Sequence, residues 1–201
     1  MAAVRSSPRV RDPGRKQRIL AAAAALCARD GFHAISMADI GAEAGIVGSG
    51  IYRHFGSKTA ILVSMLDQVM DRIEDGAAAI MAAGDEPPVT LTKLVRDHIA
   101  VAIEDRDVLA VYHMEAHTLP DDARRRLRSR QRRYIEDWAS VLAPLRPDLT
   151  DDERRLAVHA SIGAIQSTLF FHSALPHGRQ TQLLTVMAHG CLGTAPAAAL
   201  P

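Results

Sequence analysis

SMADIGAEAGIVGSGIYRHFGSK, residues 36 to 58, carries two short helical patterns separated by a glycine and followed by the start of a third helix. Ser36 is an N-cap residue, able to accept a bond from a first-turn backbone NH, and Asp39 three positions on reaches back toward it. Met37, Ile40 and Ala44 follow at helical spacing, and Gly45 stops the run by adopting a left-handed conformation that other residues reach only at a cost. The turn falls at Gly45 to Val47. A second helix over roughly Gly48 to Phe55 sets Ile51 and Phe55 inward and leaves Gly48, Ser49, Tyr52 and Arg53 outward. Ser57 then caps a long following helix. A polar face on the second helix of such a pair suits the major groove of DNA.

The block AGIVGSGIYRHF, residues 44 to 55, followed by GSK ending at Lys58, resembles the recognition segment of the tetracycline-repressor (TetR) family of bacterial regulators. The resemblance covers about 50 residues, from Arg15 to roughly Met65. It implies an all-α homodimer with a DNA-binding head and a ligand-binding body. It also implies phosphate contacts from Tyr52, His54 and Lys58. The chain departs from the family where members carry Ser, Lys, Gly and Thr and this sequence has Val47, Gly48, Ser49 and Gly50. Each glycine weakens a helix by up to about 1 kcal/mol relative to alanine, so the recognition helix is expected to be short or to settle only on DNA. Base reading then falls to Ser49, Arg53 and DNA shape. The expected DNA set is Ser36, Val47, Gly48, Ser49, Gly50, Tyr52, Arg53, His54 and Lys58.

Charge is distributed to match. The 201-residue chain has a formal net charge of only +1, but residues 1 to 58 hold nine Lys or Arg against four Asp or Glu. The remainder is acidic, so positive potential gathers on the segment with the helix-turn-helix. At 48% hydrophobic the chain can bury a substantial core. No run of 18 uncharged apolar residues occurs and the amino terminus lacks the apolar core of a signal peptide, so a cytoplasmic location is expected. Cys27 and Cys191 are far apart and read as small hydrophobes.

The organisation follows from breakers and periodicity. Residues 1–13, with Arg5, Arg9, Arg11 and two prolines, are expected to form a disordered basic arm. Residues 14–58 form the DNA-binding domain, 59–193 the ligand-binding and dimerisation domain, and 194–201 a loose tail. The first helix starts near Gly14 and ends at Asp30 and Gly31. The helix capped by Ser57 carries the stripe Ile61, Leu62, Met65, Leu66, Val69 and Ile73 toward Ile80, linking head to body. GDEPP, residues 84 to 88, breaks it. Five more helices are expected at about 89–105, 107–117, 121–144, 150–174 and 178–192, making about nine. No sustained period-two pattern occurs, so the chain is read as all-α.

The body holds three further features. Ala160, Gly163, Ala164 and Ser167 form a small-residue face that, with Leu183, Leu184 and Met187, is expected to build a four-helix dimer interface spacing two recognition helices about 34 to 36 Å apart. Tyr112, His113, Met114, Tyr134, Trp138, Gln166 and Phe170, with Leu66 and His98, are the expected lining of a pocket for a hydrophobic small molecule. Arg124 to Arg133 places seven arginines in ten residues. A solvated helix face flanked by Asp121, Asp122, Glu136 and Asp137 is the plainest reading, and the sharper one puts some of these arginines at a pocket mouth, holding phosphates of an acyl-coenzyme A.

No Gly-rich phosphate loop, nucleophile elbow or supported carboxylate pair appears, and His113 and Glu115 point about 200° apart on a helix, so catalysis is not expected. No cofactor or resident metal is expected. The reading is a homodimeric repressor released from a palindromic operator by a small molecule, with the helix after Ser57 as coupling element. Two rivals stand beside it: a metal-responsive regulator using His113 and His117 with a third ligand from His98 or Glu115, and a helical interaction module that binds no DNA.

Overall fold

The structure is a computed structural model describing residues 14–46, 48–171 and 173–197; the expected basic arm, Val47 and residues 198–201 lie outside them. The described residues are all-helical: α1 (Gly14–Asp30), α2 (Met37–Glu43), α3 (Lys58–Ala82), α4 (Pro87–Glu104), α5 (Arg106–Glu115), α6 (Asp121–Leu142), α7 (Asp151–Gln166) and α8 (His177–Leu192), with short 3₁₀ segments at Gly48–Arg53, Ala116–Thr118 and Ser167–Phe170. The chain divides into two compact units, one ending at Leu62 and the other beginning at Val63.

In the first unit, Ser36 and Asp39 form a reciprocal capping box: Asp39 N donates to Ser36 Oγ at 3.2 Å and Ser36 N donates to Asp39 Oδ2 at 2.8 Å. Helix α2 then closes on Gly45, whose φ of +67° permits Ile46 N to reach Gly41 O at 2.8 Å and Gly45 N to reach Ala42 O at 3.0 Å. That paired arrangement satisfies two orphan carbonyls and turns the chain toward the next element. Ile19, Leu26, Phe32, Ile40, Ile51 and Phe55 are buried around it. Ser57 caps α3 as expected, accepting from Ala60 N at 3.1 Å.

One element differs from the sequence expectation. The recognition segment Gly48–Arg53 is a 3₁₀ helix and not an α-helix. Two glycines in six residues remove helix propensity, and a run this short gains too few i→i−4 bonds to offset the cost of nucleation.

The second unit is a helical body. Helix α7 opens on a second capping box, Thr150 with Glu153, and α8 ends at Gly193 with φ +64°. Helix α8 packs on α7 and α4, and α6 packs on α7 and α4. Trp138, Leu91, Leu94, Ile99 and Leu142 are among its largest fully buried side chains. After α8, Ala197 N donates to Thr92 Oγ1 at 2.9 Å, and His189 bridges Thr92 and Thr194 at 3.2 and 2.8 Å.

The arginine run divides by helical face. Arg130 is only 12% exposed and bonds Glu74 Oε2 through Nε and Nη2 at 3.0 and 2.6 Å, and Asp71 Oδ1 at 2.6 Å. Arg126 pairs with Asp67 at 2.9 Å and Arg133 lies 3.5 Å from Glu74. These arginines lace α6 to the later turns of α3. The hydrogen bond from Arg130 holds the Glu74 carboxyl below its ordinary range. A depressed carboxylate stabilises the fold above its unfolded pKa and loses that contribution as pH falls through the folded value. Replacing Arg130 with Met therefore lowers stability by about 1 to 3 kcal/mol at neutral pH, and the loss shrinks in acid as Glu74 protonates; urea unfolding followed by circular dichroism at several pH values measures both.

Candidate functional site

Ser49, Tyr52, Arg53 and His54 are exposed on the 3₁₀ segment and the residue after it, while Ile51 and Phe55 anchor that segment inward. Tyr52 is 58% exposed, an unusual position for a large aromatic side chain without a partner surface. Ser36, at the N-terminus of α2, is exposed too. Together these side chains present hydroxyl, guanidinium and imidazole groups suited to phosphates and base edges.

Two of the residues expected at DNA also have roles within the first unit. An ideal Cβ on Gly50 would lie 2.8 Å from Ile46 Cγ2, so the glycine is required for the segment to close on Ile46. Lys58 was expected at a phosphate; its ammonium donates to Phe32 O at 2.5 Å and Ile35 O at 2.7 Å and sits 4.6 Å from the Phe32 ring centroid. An ammonium has three protons, and here the α1–α2 loop carbonyls take them. Nothing in the sequence signals that use, because the partners are backbone oxygens more than twenty residues away.

The second unit contains a cavity of about 210 Å³. Leu66, Val69, Met70 and Ile73 of α3, Leu109 of α5, Leu127 and Ile135 of α6 and Ile162 of α7 make its apolar wall. His98, Tyr112, His113, Gln131, Tyr134, His159 and Gln166 supply the polar atoms, and no Asp, Glu, Lys or Arg is among its lining residues. Six of the expected ligand residues line it: Leu66, His98, Tyr112, His113, Tyr134 and Gln166. The other three do not. Met114 is 49% exposed and turned away from it, Trp138 is fully buried behind it with its ring 5.8 Å from Tyr134, and Phe170 is exposed, edge-on to His113. Tyr112 and His113 already take up the arc of α5 that faces the cavity, and a further 100° of rotation carries Met114 off that arc.

Four of these polar residues form a chain of hydrogen bonds. His113 Nε2 lies 3.1 Å from Gln166 Oε1, Gln166 Nε2 lies 3.4 Å from His98 Nε2, and His98 Nδ1 lies 3.1 Å from Tyr134 Oη. An amide oxygen only accepts and an amide nitrogen only donates, so His113 donates to Gln166 and Gln166 donates to His98. Neutral His98 then carries its proton on Nδ1 and donates it to Tyr134. Burial pushes the His98 imidazole down to about 4, so it is neutral at physiological pH. Burial raises the Tyr134 phenol, which stays protonated. His113 Nε2 is engaged by Gln166, and among the described residues no group of three or more His, Cys, Asp or Glu is placed to hold a metal ion.

The comparisons with known proteins agree with this layout. Residues 19–65 match "Bacterial regulatory proteins, tetR family" and residues 84–170 match "Tetracyclin repressor-like, C-terminal domain". The chain is 28% identical over 130 residues to the HTH-type transcriptional repressor KstR2 of Rhodococcus jostii (strain RHA1), a match covering 64% of each protein. The matched region therefore spans just under two thirds of that relative's length. A crystal structure of a TetR-family transcriptional regulator from Bordetella parapertussis 12822 superposes with a TM-score of 0.80 at 23% identity, covering 94% of this chain and 100% of that one. The structure of AibR in complex with isovaleryl coenzyme A and operator DNA superposes at 0.73 and 18% identity, covering 86% and 97%. A helix-turn-helix head joined to a helical body defines the class of helical bacterial regulators. The chain belongs to the TetR family, whose members are transcription regulators and not enzymes.

The buried histidine makes the body sensitive to acid. His98 has a folded pKa of about 4 against an ordinary value of 6.5, so the unfolded chain binds the proton first. Its contribution is fully present above pH 6.5 and is lost as pH falls through 4, by up to about 3 kcal/mol. In His98→Gln this part of the acid loss disappears, as thermal unfolding between pH 7 and pH 4 would record.

Proposed function

We propose that the chain is a homodimeric repressor that binds a near-palindromic operator through Ser36, Ser49, Tyr52, Arg53 and His54 and releases it when a hydrophobic small molecule fills the cavity of its second unit. The observation that carries the reading is the pairing, in one TetR-family chain, of an exposed recognition segment with a largely apolar cavity walled by α3, the helix that begins at Lys58 in the first unit and ends at Ala82 in the second. Ligand contacts with Leu66, Val69, Met70 and Ile73 act on that helix directly. A coupling of about 1 to 3 kcal/mol lowers operator affinity roughly 5- to 150-fold. The repressor named KstR2 and the AibR complex, which holds both an acyl-coenzyme A and operator DNA, support the reading.

Dimerisation is supported by the outer faces of α7 and α8. Ala160 and Gly163 are exposed there beside Leu156, which is 69% exposed, and α8 presents Val186 and Met187, the latter 55% exposed. Small residues flanked by uncovered large ones let a second copy's helices approach closely. Ala164 and Leu183 are half-buried at the edge of this face. Ser167 is exposed just past the end of α7. Leu184 is buried within its own chain and holds α8 to the body from beneath. Among the described residues no helix is long and apolar enough to cross a membrane, and we place the protein in the cytoplasm with its DNA.

Mobility shift on the DNA upstream of its own gene tests the reading: a salt-dependent shift is expected there and only weak binding on random duplex, whereas equal binding to both would sink it. Tyr52→Ala weakens binding to all sequences alike. Arg53→Ala changes base preference by about 1 to 3 kcal/mol at the position it reads, seen by competition with operator variants. Met187→Arg shifts the sedimentation coefficient to that of a monomer and abolishes operator binding; an unchanged dimer rules out the α7–α8 interface.

A further inference from the structure

Lys58 opens α3, yet its side chain runs back to the stretch of chain that precedes α2. Its ammonium donates to Phe32 O at 2.5 Å and Ile35 O at 2.7 Å, lies 3.5 Å from His33 O, and stands over the buried Phe32 ring. Three ammonium protons thus face three carbonyl oxygens. A cation at the first residue of a helix is opposed by the positive end of that helix's dipole. The loop carbonyls and the ring supply the stabilisation that α3 withholds.

The contact matters because of what lies between its ends. Ile35 directly precedes Ser36, the N-cap of α2, and Lys58 directly follows Ser57, which caps α3. The ammonium therefore joins the entry and the exit of the whole helix-turn-helix, 23 positions apart in sequence. Inside that span the recognition segment Gly48–Arg53 is a 3₁₀ helix with two glycines, held inward by Ile51. So short and weak a helix does not fix its own register, and it keeps Ser49 and Arg53 in place only if the chain on either side is held. Carrying the ammonium to a phosphate would strip Phe32 O and Ile35 O, both in part-buried contacts, of a charged donor.

We propose that Lys58 is a positioning residue for operator recognition: its ammonium staples the loop before α2 to the start of α3, holds Ser49 and Arg53 in register on base edges, and stays on the loop carbonyls in the operator complex. This rests on the reading of the first unit as the operator-binding head and gives that head's sequence preference an internal support. Specific binding depends on the staple because a preorganised segment loses less freedom on docking. Binding to random duplex does not, since it draws on phosphate charge alone.

Lys58→Met in the full chain keeps the apolar stem and removes the charge. Fluorescence anisotropy on the DNA upstream of its own gene and on random duplex, between about 50 and 200 mM salt, tests the proposal. Affinity for the upstream DNA is expected to fall roughly 10-fold, with random-duplex affinity and the slope of log K against log salt unchanged. Loss of a phosphate contact would instead weaken both DNAs together and lower the slope by about 0.9 for each head, and that result overturns the proposal. Unchanged affinity for both DNAs overturns it too. A merely structural role would reduce the active fraction, read by stoichiometric titration, and leave the ratio of the two affinities intact, which likewise overturns it. Acetylation of the wild-type protein, mapped by mass spectrometry over Lys16, Lys58 and Lys93, needs no variant to fold. Lys58 is expected to react roughly 10-fold more slowly than exposed Lys16, with or without operator DNA. A Lys58 that reacts as fast as Lys16 and is shielded only by operator overturns the staple. Wild-type protein without preference for the upstream DNA removes the operator reading and the proposal with it, whereas a wild-type preference with a lowered slope in Lys58→Met removes the proposal alone.

Discussion

Burial of His98 as a neutral ring is the constraint on which the body is built. An imidazole removed from water must have both nitrogens satisfied, and His98 on α4 finds its partners on α6, Tyr134, and on α7, Gln166. Gln166 passes the requirement on to His113 on α5. Four helices are thus joined by one run of hydrogen bonds in which each link has a determined direction. Apolar packing alone tolerates sliding of helix on helix, whereas a directional chain does not. Trp138, packed edge-on to both His98 and Tyr134, fills the space behind the chain. The cavity lies on its other side, so the groups that fix the helices also line the cavity.

The head obeys a different constraint, imposed by the backbone. Its turn depends on Gly45 at positive φ and its recognition segment on Gly50, where a methyl group would strike Ile46. Lys58 then ties the loop after α1 to the start of α3 through carbonyl oxygens. Backbone geometry is set by residues with little or no side chain, and the outward side chains are left free to vary. That separation leaves Ser49 and Arg53 exposed without a part in the turn.

The parts legible in the sequence are those governed by local rules. Capping at Ser36 and Ser57, the stop at Gly45 and the breaks at Gly84 to Pro88 act within a few residues, and α1 through α8 fall close to their expected spans. The hydrogen-bond chain was legible only in composition. His98, Tyr134 and Gln166 could be named as polar residues on apolar stripes, but their mutual distances depend on how three helices pack. Met114, Trp138 and Phe170 share the stripe's character and face elsewhere, because a 3.6-residue period fixes a side chain's direction only to within a wide sector. Leu184 differs from its neighbour Leu183 by 100° of rotation, which decides between core and edge. Lys58 carried no local signal, since its partners are main-chain atoms distant in sequence.

The arginine run shows how the same periodicity assigns roles that composition blurs. Seven like charges in ten residues look like one feature. On a helix they cannot act as one, because successive residues turn by 100° and only those three or four apart share a face. Arg126, Arg130 and Arg133 share the face toward α3, where Asp67, Asp71 and Glu74 stand at matching spacing and neutralise them. Arg124 and Arg128 share another, four residues apart, which opens on a hollow without carboxylates among its lining residues. The first face is spent on structure and cannot recruit an anion without breaking ion pairs. The second stands beside a cavity with no Asp, Glu, Lys or Arg among its lining residues, and Tyr112, His113 and Leu127 line both hollows.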